Sequence, residues 1–301
     1  MCISERIIRN EVNFLKSQNL IDINASGMFI TTDGEEIISK LKEFIHEIKG
    51  LSKFEKFIEE HLKLQQVIVV PGDVEIDKSV LKEIGKVAAN YAMENIKDNS
   101  IIALTGGSTV KEVVDNFPTN KKYRNVLVLP ARGGMARNVE IQANTLVARL
   151  ADKMGGNYEL LHLPDNLSKA ALETILNEKD IKNLIDKIRS AEVLIYGIGI
   201  AEDMARKRGL SEQEINELEV LGAVGEAFGH YYNKSGKIIH STPTIGMRNE
   251  DIKNNETLIA VAAGKNKARA IIATEINRSS TVLIIDEAAA EEIINIITKT
   301  E

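Results

Sequence analysis

The sequence predicts an α/β protein: a doubly wound, mostly parallel sheet, preceded by a short helix with a hairpin and then by a long helix. Three observations predict it. From Gln65 onward, short apolar runs alternate with stretches of helical periodicity. The runs are continuously apolar instead of alternating, as strands buried on both faces are. Several of them end in glycine-rich loops, the strand-to-helix turns of such sheets.

At the start of the chain, Ser4 can cap a helix running to about Ser17. Its apolar residues are Ile7, Ile8, Val12, Phe14 and Leu15, and Asn19 stands near its end. Residues 21–23 and 28–31 flank Asn24-Ala25-Ser26-Gly27, two strands around turn chemistry. Thr32-Asp33-Gly34 then punctuates before the long helix. Over residues 35–62, Ile37, Leu41, Phe44, Ile48, Leu51, Phe54, Ile58 and Leu62 recur at alternating steps of three and four, which is coiled-coil spacing, with Gly50 marking a break or bend. This stretch reads as a linker helix that pairs with a second copy, the alternative being an amphipathic helix packed on its own domain. Strands follow at 67–70, 101–104, 126–129, 158–163, 193–196, 258–261 and 282–285, with a helical stretch over 77–96 between the first two. The predicted organisation is therefore 1–34, 35–64 and 65–301.

A chain of 301 residues accommodates one large domain and a small one. No apolar run approaches the length of a membrane span, and residues 1–30 lack a signal-peptide pattern. The single cysteine, Cys2, excludes intrachain disulfides and a cysteine-rich metal site, which fits a reducing cytoplasm. The five histidines show no metal-ligand spacing. A formal charge of −6 argues against bulk affinity for nucleic acid, while leaving room for a small DNA-reading module on an acidic body. The absence of tryptophan and the 4% of aromatic residues argue against a base-stacking single-strand binder.

In doubly wound sheets, ligands sit beyond the carboxyl ends of the strands, so the residues that follow each strand carry the chemistry. After 101–104 comes Thr105-Gly106-Gly107-Ser108-Thr109, which opens a helix. Its unpaired backbone N–H groups, the positive end of the helix dipole and two hydroxyls form an anion cradle, and the glycines allow close approach. It matches neither G-x-x-x-x-G-K-[ST] nor G-x-G-x-x-G, so nucleotide readings lose weight and no cofactor is expected. After 126–129 comes Pro130-Ala131-Arg132-Gly133-Gly134, where Arg132 can pair with a phosphate in bidentate fashion or serve as a surface arginine. After 193–196 comes Gly197-Ile198-Gly199. After 258–261 comes Ala262-Ala263-Gly264-Lys265-Asn266-Lys267. Lys267 opens a helix, where a cation opposes the dipole unless an anion joins it. Two separated cation-bearing loops suit a ligand with two anionic ends, or one phosphate on a polar sugar. Glu226, in the glycine-rich segment 222–229, can accept hydrogen bonds from sugar hydroxyls or stand as an exposed loop carboxylate. An isomerase on this fold would need a base over the substrate carbon. Ile200 and Ala201 follow Gly199, and Glu202 and Asp203 come only later, in a helix, which weakens the enzyme reading.

Read in order, V-V-P-G-D at 69–73, A-L-T-G-G-S-T at 103–109, L-P-A-R-G-G at 129–134, Q-A-N-T at 142–145, Y-G-I-G at 196–199, G-A-V-G-E-A-F-G at 222–229 and I-A-V-A-A-G at 259–264 resemble the effector-binding domain of SorC-type bacterial transcription regulators. The resemblance runs from about Ser4 to the C-terminus. It implies a non-enzymatic repressor of carbohydrate-metabolism genes, with a sensor domain similar to sugar-phosphate isomerases behind a winged helix-turn-helix. The implied effector is a phosphorylated sugar, fructose 1,6-bisphosphate in one member of the family. On that basis Gly106, Gly107, Ser108 and Thr109 hold one phosphate with Lys267 and Arg208. Arg132, with Gly133, Gly134 and Gln142, holds the other end, and Gly199 and Glu226 face the sugar. The helix 4–17 takes the place of the recognition helix, with Ser4, Arg6, Arg9 and Asn10 toward operator DNA, and residues 21–32 that of the wing. Because the family's module has further helices before this one, the resemblance also implies a chain beginning partway through the domain, with a poorly stable small core. The expected partners are operator DNA, the phosphosugar and a second copy, as homodimer or dimer of dimers, with no membrane.

Overall fold

The computed structural model describes residues 4–119, 121–134, 138–163, 169–242 and 245–300; Cys2, on which the exclusion of disulfides rests, lies outside them. The chain divides into two compact units, Met1–Ser52 and Lys53–Glu301.

The first unit contains α1 (Glu5–Ser17), β1 (Ile21–Asn24), β2 (Gly27–Ile30) and α2 (Thr32–Ile48). The strands form an antiparallel hairpin with Asn24 opposite Gly27. Ser4 occupies the cap position of α1, but its side chain makes no capping bond. Thr31 does cap α2: its hydroxyl accepts from the Gly34 N–H at 3.1 Å and donates to the Asn19 carbonyl at 2.5 Å. Position 34 has to be glycine, since a Cβ there would lie 2.1 Å from the Leu20 carbonyl oxygen. α1 buries none of its residues, and Ile7, Ile8, Phe14, Met28 and Phe29 are exposed.

The periodic stretch 35–62 is two helices. α2 ends and α3 (Leu51–Leu62) begins across Lys49 and Gly50, where Gly50 takes a left-handed φ of +64°. In the larger unit the body of α3 covers the edge strand β3 (Gln66–Val70). Glu59 accepts the Val67 N–H at 2.8 Å and Glu55 accepts the Val69 N–H at 2.9 Å. Two carboxylates one helical turn apart thus satisfy donors that an edge strand would leave open.

The remaining elements are α4 (Ser79–Asn95), β4 (Ile101–Leu104), α5 (Ser108–Asp115), β5 (Leu127–Pro130), α6 (Ala143–Met154), β6 (Asn157–Tyr158), α7 (Lys169–Ile175), α8 (Lys179–Arg189), β7 (Val193–Gly197), β8 (Gly199–Ile200), α9 (Ala201–Arg208), α10 (Glu212–Val220), β9 (Ala223–Ala227), β10 (His230–Asn233), β11 (Ile238–Ser241), β12 (Thr257–Val261), α11 (Ala268–Glu275), β13 (Thr281–Asp286) and α12 (Glu287–Thr300). Seven strands pair in the order β3-β13-β12-β7-β4-β5-β6, every pair parallel. Ile84 and Ala88 of α4, Val110 and Val113 of α5 and Leu146 and Leu150 of α6 pack on Ile102, Leu104, Val128, Ile195 and Ile259 from one side. The alternate residues Ala103, Leu129, Leu194, Leu258 and Leu283 are buried as well, so both faces are covered. Of the run at 158–163 only Tyr158 lies in the two-residue β6, and the Glu159 N–H still donates to the Val128 carbonyl of β5 at 3.4 Å.

A second sheet, which the sequence does not announce, is antiparallel in the order β11-β10-β9-β8. The glycine-rich segment 222–229 supplies its strand β9. From β4 the chain winds outward through β5 and β6, then returns to the other side of β4 as β7. The winding therefore reverses between β4 and β7, and in sheets of this kind a crevice opens at the carboxyl ends of that pair.

Candidate functional site

The reversal point is stitched together by Thr105. Its N–H donates to the Ile195 carbonyl at 3.0 Å, and its hydroxyl accepts from the Gly197 N–H at 3.3 Å. The loops after β4 and β7 thus leave the sheet side by side. Gly107 stands at the cap of α5 with φ +131° and has no side chain with which to cap the helix. Gly106 is required by close approach: a Cβ would lie 2.6 Å from the Ile141 carbonyl oxygen, the same oxygen that accepts the Gly107 N–H at 2.9 Å. The Gly106–Thr109 turn is therefore braced on the backbone around Gln142, the cap residue of α6. Thr109 is buried and Ser108 exposed.

Arg132, Arg208 and Glu226 converge from three elements. Arg132 follows β5, Arg208 ends α9 and Glu226 lies in β9. All three side chains are at least nine-tenths buried. Glu226 Oε1 accepts Arg208 Nη2 at 2.6 Å, the Gly229 N–H at 2.6 Å and, more distantly, Arg132 Nη1 at 3.5 Å. Arg208 Nη1 also donates to the Thr242 hydroxyl at 2.8 Å. Gly199 pairs across from Glu226 in the small sheet, and a Cβ on it would lie 3.4 Å from Glu226 Oε2 and 2.2 Å from Met204 Cγ. Gly133 and Gly134 are used as backbone, donating to the carbonyls of Ile245 at 3.1 Å and Leu163 at 3.0 Å.

The turn between β9 and β10 presses on this cluster. Phe228 and Gly229 both have left-handed φ, +54° and +79°, which is the two-residue hairpin geometry that suits the twist of the strands. Phe228 holds this uncommon conformation while buried against Tyr196, ring centroids 4.6 Å apart. At position 229 a Cβ would meet Arg132 Nη2 at 2.5 Å. Next to it, burial and the positive charges of Arg132, Arg278 and Arg208 bring the His230 imidazole down to about 4.

Lys267 lies at the cap of α11, as the last residue of the turn Lys265–Lys267. Asp286, fully buried at the end of β13, holds this loop by accepting the Gly264 N–H at 2.9 Å and holds the loop after β3 by accepting the Val74 N–H at 3.1 Å. Burial, reinforced by Lys207, pushes the half-buried Lys267 ammonium down to about 8, against the pull of Asp203 and Asp286. α9 thus serves both regions, with Lys207 toward Lys267 and Arg208 on Glu226.

The grouping differs from the one implied by sequence: Arg208 shares Glu226 with Arg132 instead of standing with Lys267, and the Gln142 backbone lies against Gly106. Sequence reasoning missed Thr105, Lys207, His230, Thr242 and Asp286. Only Asp286 left a signal, as a carboxylate closing an apolar strand. In the first unit, Ser4, Arg6, Arg9 and Asn10 are all exposed, and Arg9 pairs with Glu5 at 2.7 Å. Among the described residues there is no His, Cys, Asp or Glu group that could hold a metal ion, and no helix is long and apolar enough to cross a membrane.

The fold, with a crevice at the carboxyl ends of its parallel strands, is that of an α/β ligand-binding domain. The family of sugar-binding domains named Sugar-bind matches residues 46–295, and the CggR N-terminal DNA binding domain matches residues 1–45. The chain belongs to the SorC family of sugar-binding transcription regulators. It is 40% identical over 294 residues to the central glycolytic genes regulator of Priestia megaterium, and 39% identical over 292 residues to that of Bacillus subtilis. In both cases the match covers 97% of this chain and 86% of the relative. Among solved structures, a SorC family transcriptional regulator from Enterococcus faecalis superposes with a TM-score of 0.74 at 36% identity, covering 80% of this chain and 99% of that one. The full-length sorbitol operon regulator SorC from Klebsiella pneumoniae shares the fold, with a TM-score of 0.73 at 19% identity over 80% of each chain. The chain is a transcription regulator, and the isomerase alternative falls away, since these relatives are named as regulators and a DNA-binding domain precedes the sugar-binding one.

Proposed function

We propose that this regulator controls genes of central carbohydrate metabolism, as a repressor whose effector is a phosphorylated sugar, with fructose 1,6-bisphosphate the leading candidate. The observation that carries the reading is the convergence of Arg132 and Arg208 on one buried carboxylate beside the open first turn of α5. One phosphate would take the N–H groups of the Gly106–Thr109 turn, with Lys267 near it. The other would take the Arg132 and Arg208 guanidiniums, while Glu226 accepts from sugar hydroxyls. The ends of β5 and β12 are three strand spacings apart, about 14 Å at the backbone, a span suited to a ligand anionic at both ends. The names of the relatives from Priestia megaterium and Bacillus subtilis favour glycolytic genes as the target. The first unit would read operator DNA through Arg6, Arg9 and Asn10 on α1, near Ser4. Copies would associate as a homodimer or dimer of dimers, and the effector would shift their arrangement through its differential affinity for two states.

A thermal-shift screen of phosphosugars tests the effector. A ligand at a hundredfold excess over Kd stabilises the domain by about 2.7 kcal/mol. Fructose 1,6-bisphosphate is expected to give that shift and Arg132→Ala to abolish it. An unchanged shift in the variant would move the site elsewhere.

A further inference from the structure

Arg132 does not hold its posture alone. Residues 245–247 run beside it as a short strap: Gly246 bridges Arg132 in antiparallel fashion, the Met247 N–H donates to the Ala131 carbonyl at 2.8 Å, and the Gly133 N–H donates to the Ile245 carbonyl at 3.1 Å. The approach is as close as backbone allows, because a Cβ on Gly246 would lie 2.3 Å from the Ala131 carbonyl oxygen. Ile245 and Met247 are buried. The strap is then tied down just past this point. Asn249 Oδ1 accepts Arg278 Nη2 at 2.9 Å, and the same Nη2 donates to the Tyr232 hydroxyl at 2.9 Å. Two residues on, Asp251 takes Arg248 at 2.9 Å and Arg189 at 3.4 Å.

Arg278 is itself fixed to α11. Its Nε donates to the Thr274 carbonyl at 2.6 Å, filling one of the open acceptors at the helix C-terminus. Behind it stands Glu275, fully buried, which accepts the Tyr196 hydroxyl at 2.7 Å. Lys267 occupies the cap position at the opposite end of the same helix. A short rigid helix thus has one cation of the proposed site at its start and, beyond its end, an arginine that fastens the strap of the other cation.

We infer that Arg278, through Asn249, is a positioning residue for Arg132, and that α11 ties Arg132 and Lys267 into one unit that favours ligands with two phosphates over ligands with one. Arg278 does not touch the sugar-phosphate; it sets where the strap, and hence Arg132, stands. The inference rests on the phosphosugar reading above. Calorimetric titration of the full chain with fructose 1,6-bisphosphate and with fructose 6-phosphate tests it, in wild type, Asn249→Ala and Asn249→Asp. In Asn249→Ala the preference for the bisphosphate is expected to shrink by about tenfold, the scale of one charge-assisted hydrogen bond, with the monophosphate affinity nearly unchanged. Asn249→Asp retains an acceptor for Arg278 and is expected to retain the preference. A general loss of structure would weaken both ligands alike and lower the melting temperature of the free protein. An unchanged preference in Asn249→Ala, or equal loss for both ligands, overturns the positioning role. A wild type that binds neither sugar overturns the phosphosugar reading itself.

Discussion

The two regions proposed to hold the phosphates are built from different materials. The Gly106–Thr109 turn is backbone: two glycines, an uncapped helix end and a brace on the Ile141 carbonyl. Its donors cannot titrate, and its geometry is set before any ligand arrives. The Arg132–Arg208 region is side chain, two guanidiniums held on Glu226 within a small antiparallel sheet. Desolvating a charge costs several kcal/mol unless partners compensate, so this region depends on its carboxylate in a way that the turn does not. The difference teaches where each is vulnerable: the turn to added bulk, the arginine pair to a lost counter-charge.

The largest effect expected from this comparison is on stability. Glu226→Ala removes the carboxylate that both arginines share, and breaking a buried pair in this way costs about 3–5 kcal/mol. Urea denaturation of the free protein measures it. Fructose 1,6-bisphosphate should return part of the loss, since a phosphate can stand in for the missing carboxylate. A variant as stable as wild type would mean that the arginines do not rely on Glu226, and the contrast between the regions would fail.

The turn should respond to volume and not to hydroxyl chemistry. Gly106→Ala forces a methyl group against the Ile141 carbonyl oxygen and is expected to cost about 1–3 kcal/mol of stability, with a matching loss of phosphosugar affinity in calorimetry. Ser108→Ala, which keeps every backbone donor, is expected to change affinity by less than about threefold. If Ser108→Ala proved the more damaging of the two, the turn would be a side-chain site after all.

Much of this was legible in the sequence, for a physical reason. Strands buried on both faces must be continuously apolar, so β3, β4, β7, β12 and β13 announce themselves, and the segments after β3, β4, β7 and β12 carry glycine. Hence Gly106, Gly107 and Arg132 are visible as candidates before any coordinates. What was not legible depends on pairing at a distance. The strand β9 is only half apolar, and nothing local says that Gly199 lies across from Glu226 or that Gly229 abuts Arg132. Coiled-coil spacing over 35–62 does not distinguish a helix that meets a second copy from one that seals an edge strand with Glu55 and Glu59. Asp286 shows only as a carboxylate closing an apolar strand: its value lies in the loops after β3 and β12, which only the sheet order brings to it.

A titration separates Lys267 from the rest of the site. Its ammonium ordinarily deprotonates near 10.5 and here does so at about 8. A phosphate beside it favours the charged form and raises that value on binding. Below pH 8 the lysine is already charged, so affinity should be flat with pH, the ligand phosphates being largely dianionic from about pH 7. Above pH 8 binding must take up a proton, and affinity should fall by up to about tenfold per pH unit. The free protein behaves in the opposite sense. The unfolded chain keeps the proton up to about 10.5 and the folded chain only to about 8, so the lysine's contribution to stability rises with pH through that window. Calorimetry in buffers of different ionisation enthalpy should detect almost no proton uptake near pH 7 and most of a proton near pH 9. Lys267→Gln should abolish that uptake, because the lysine is the group whose proton the phosphate would hold. Uptake that survived in Lys267→Gln would place the titrating group elsewhere and remove Lys267 from the phosphate.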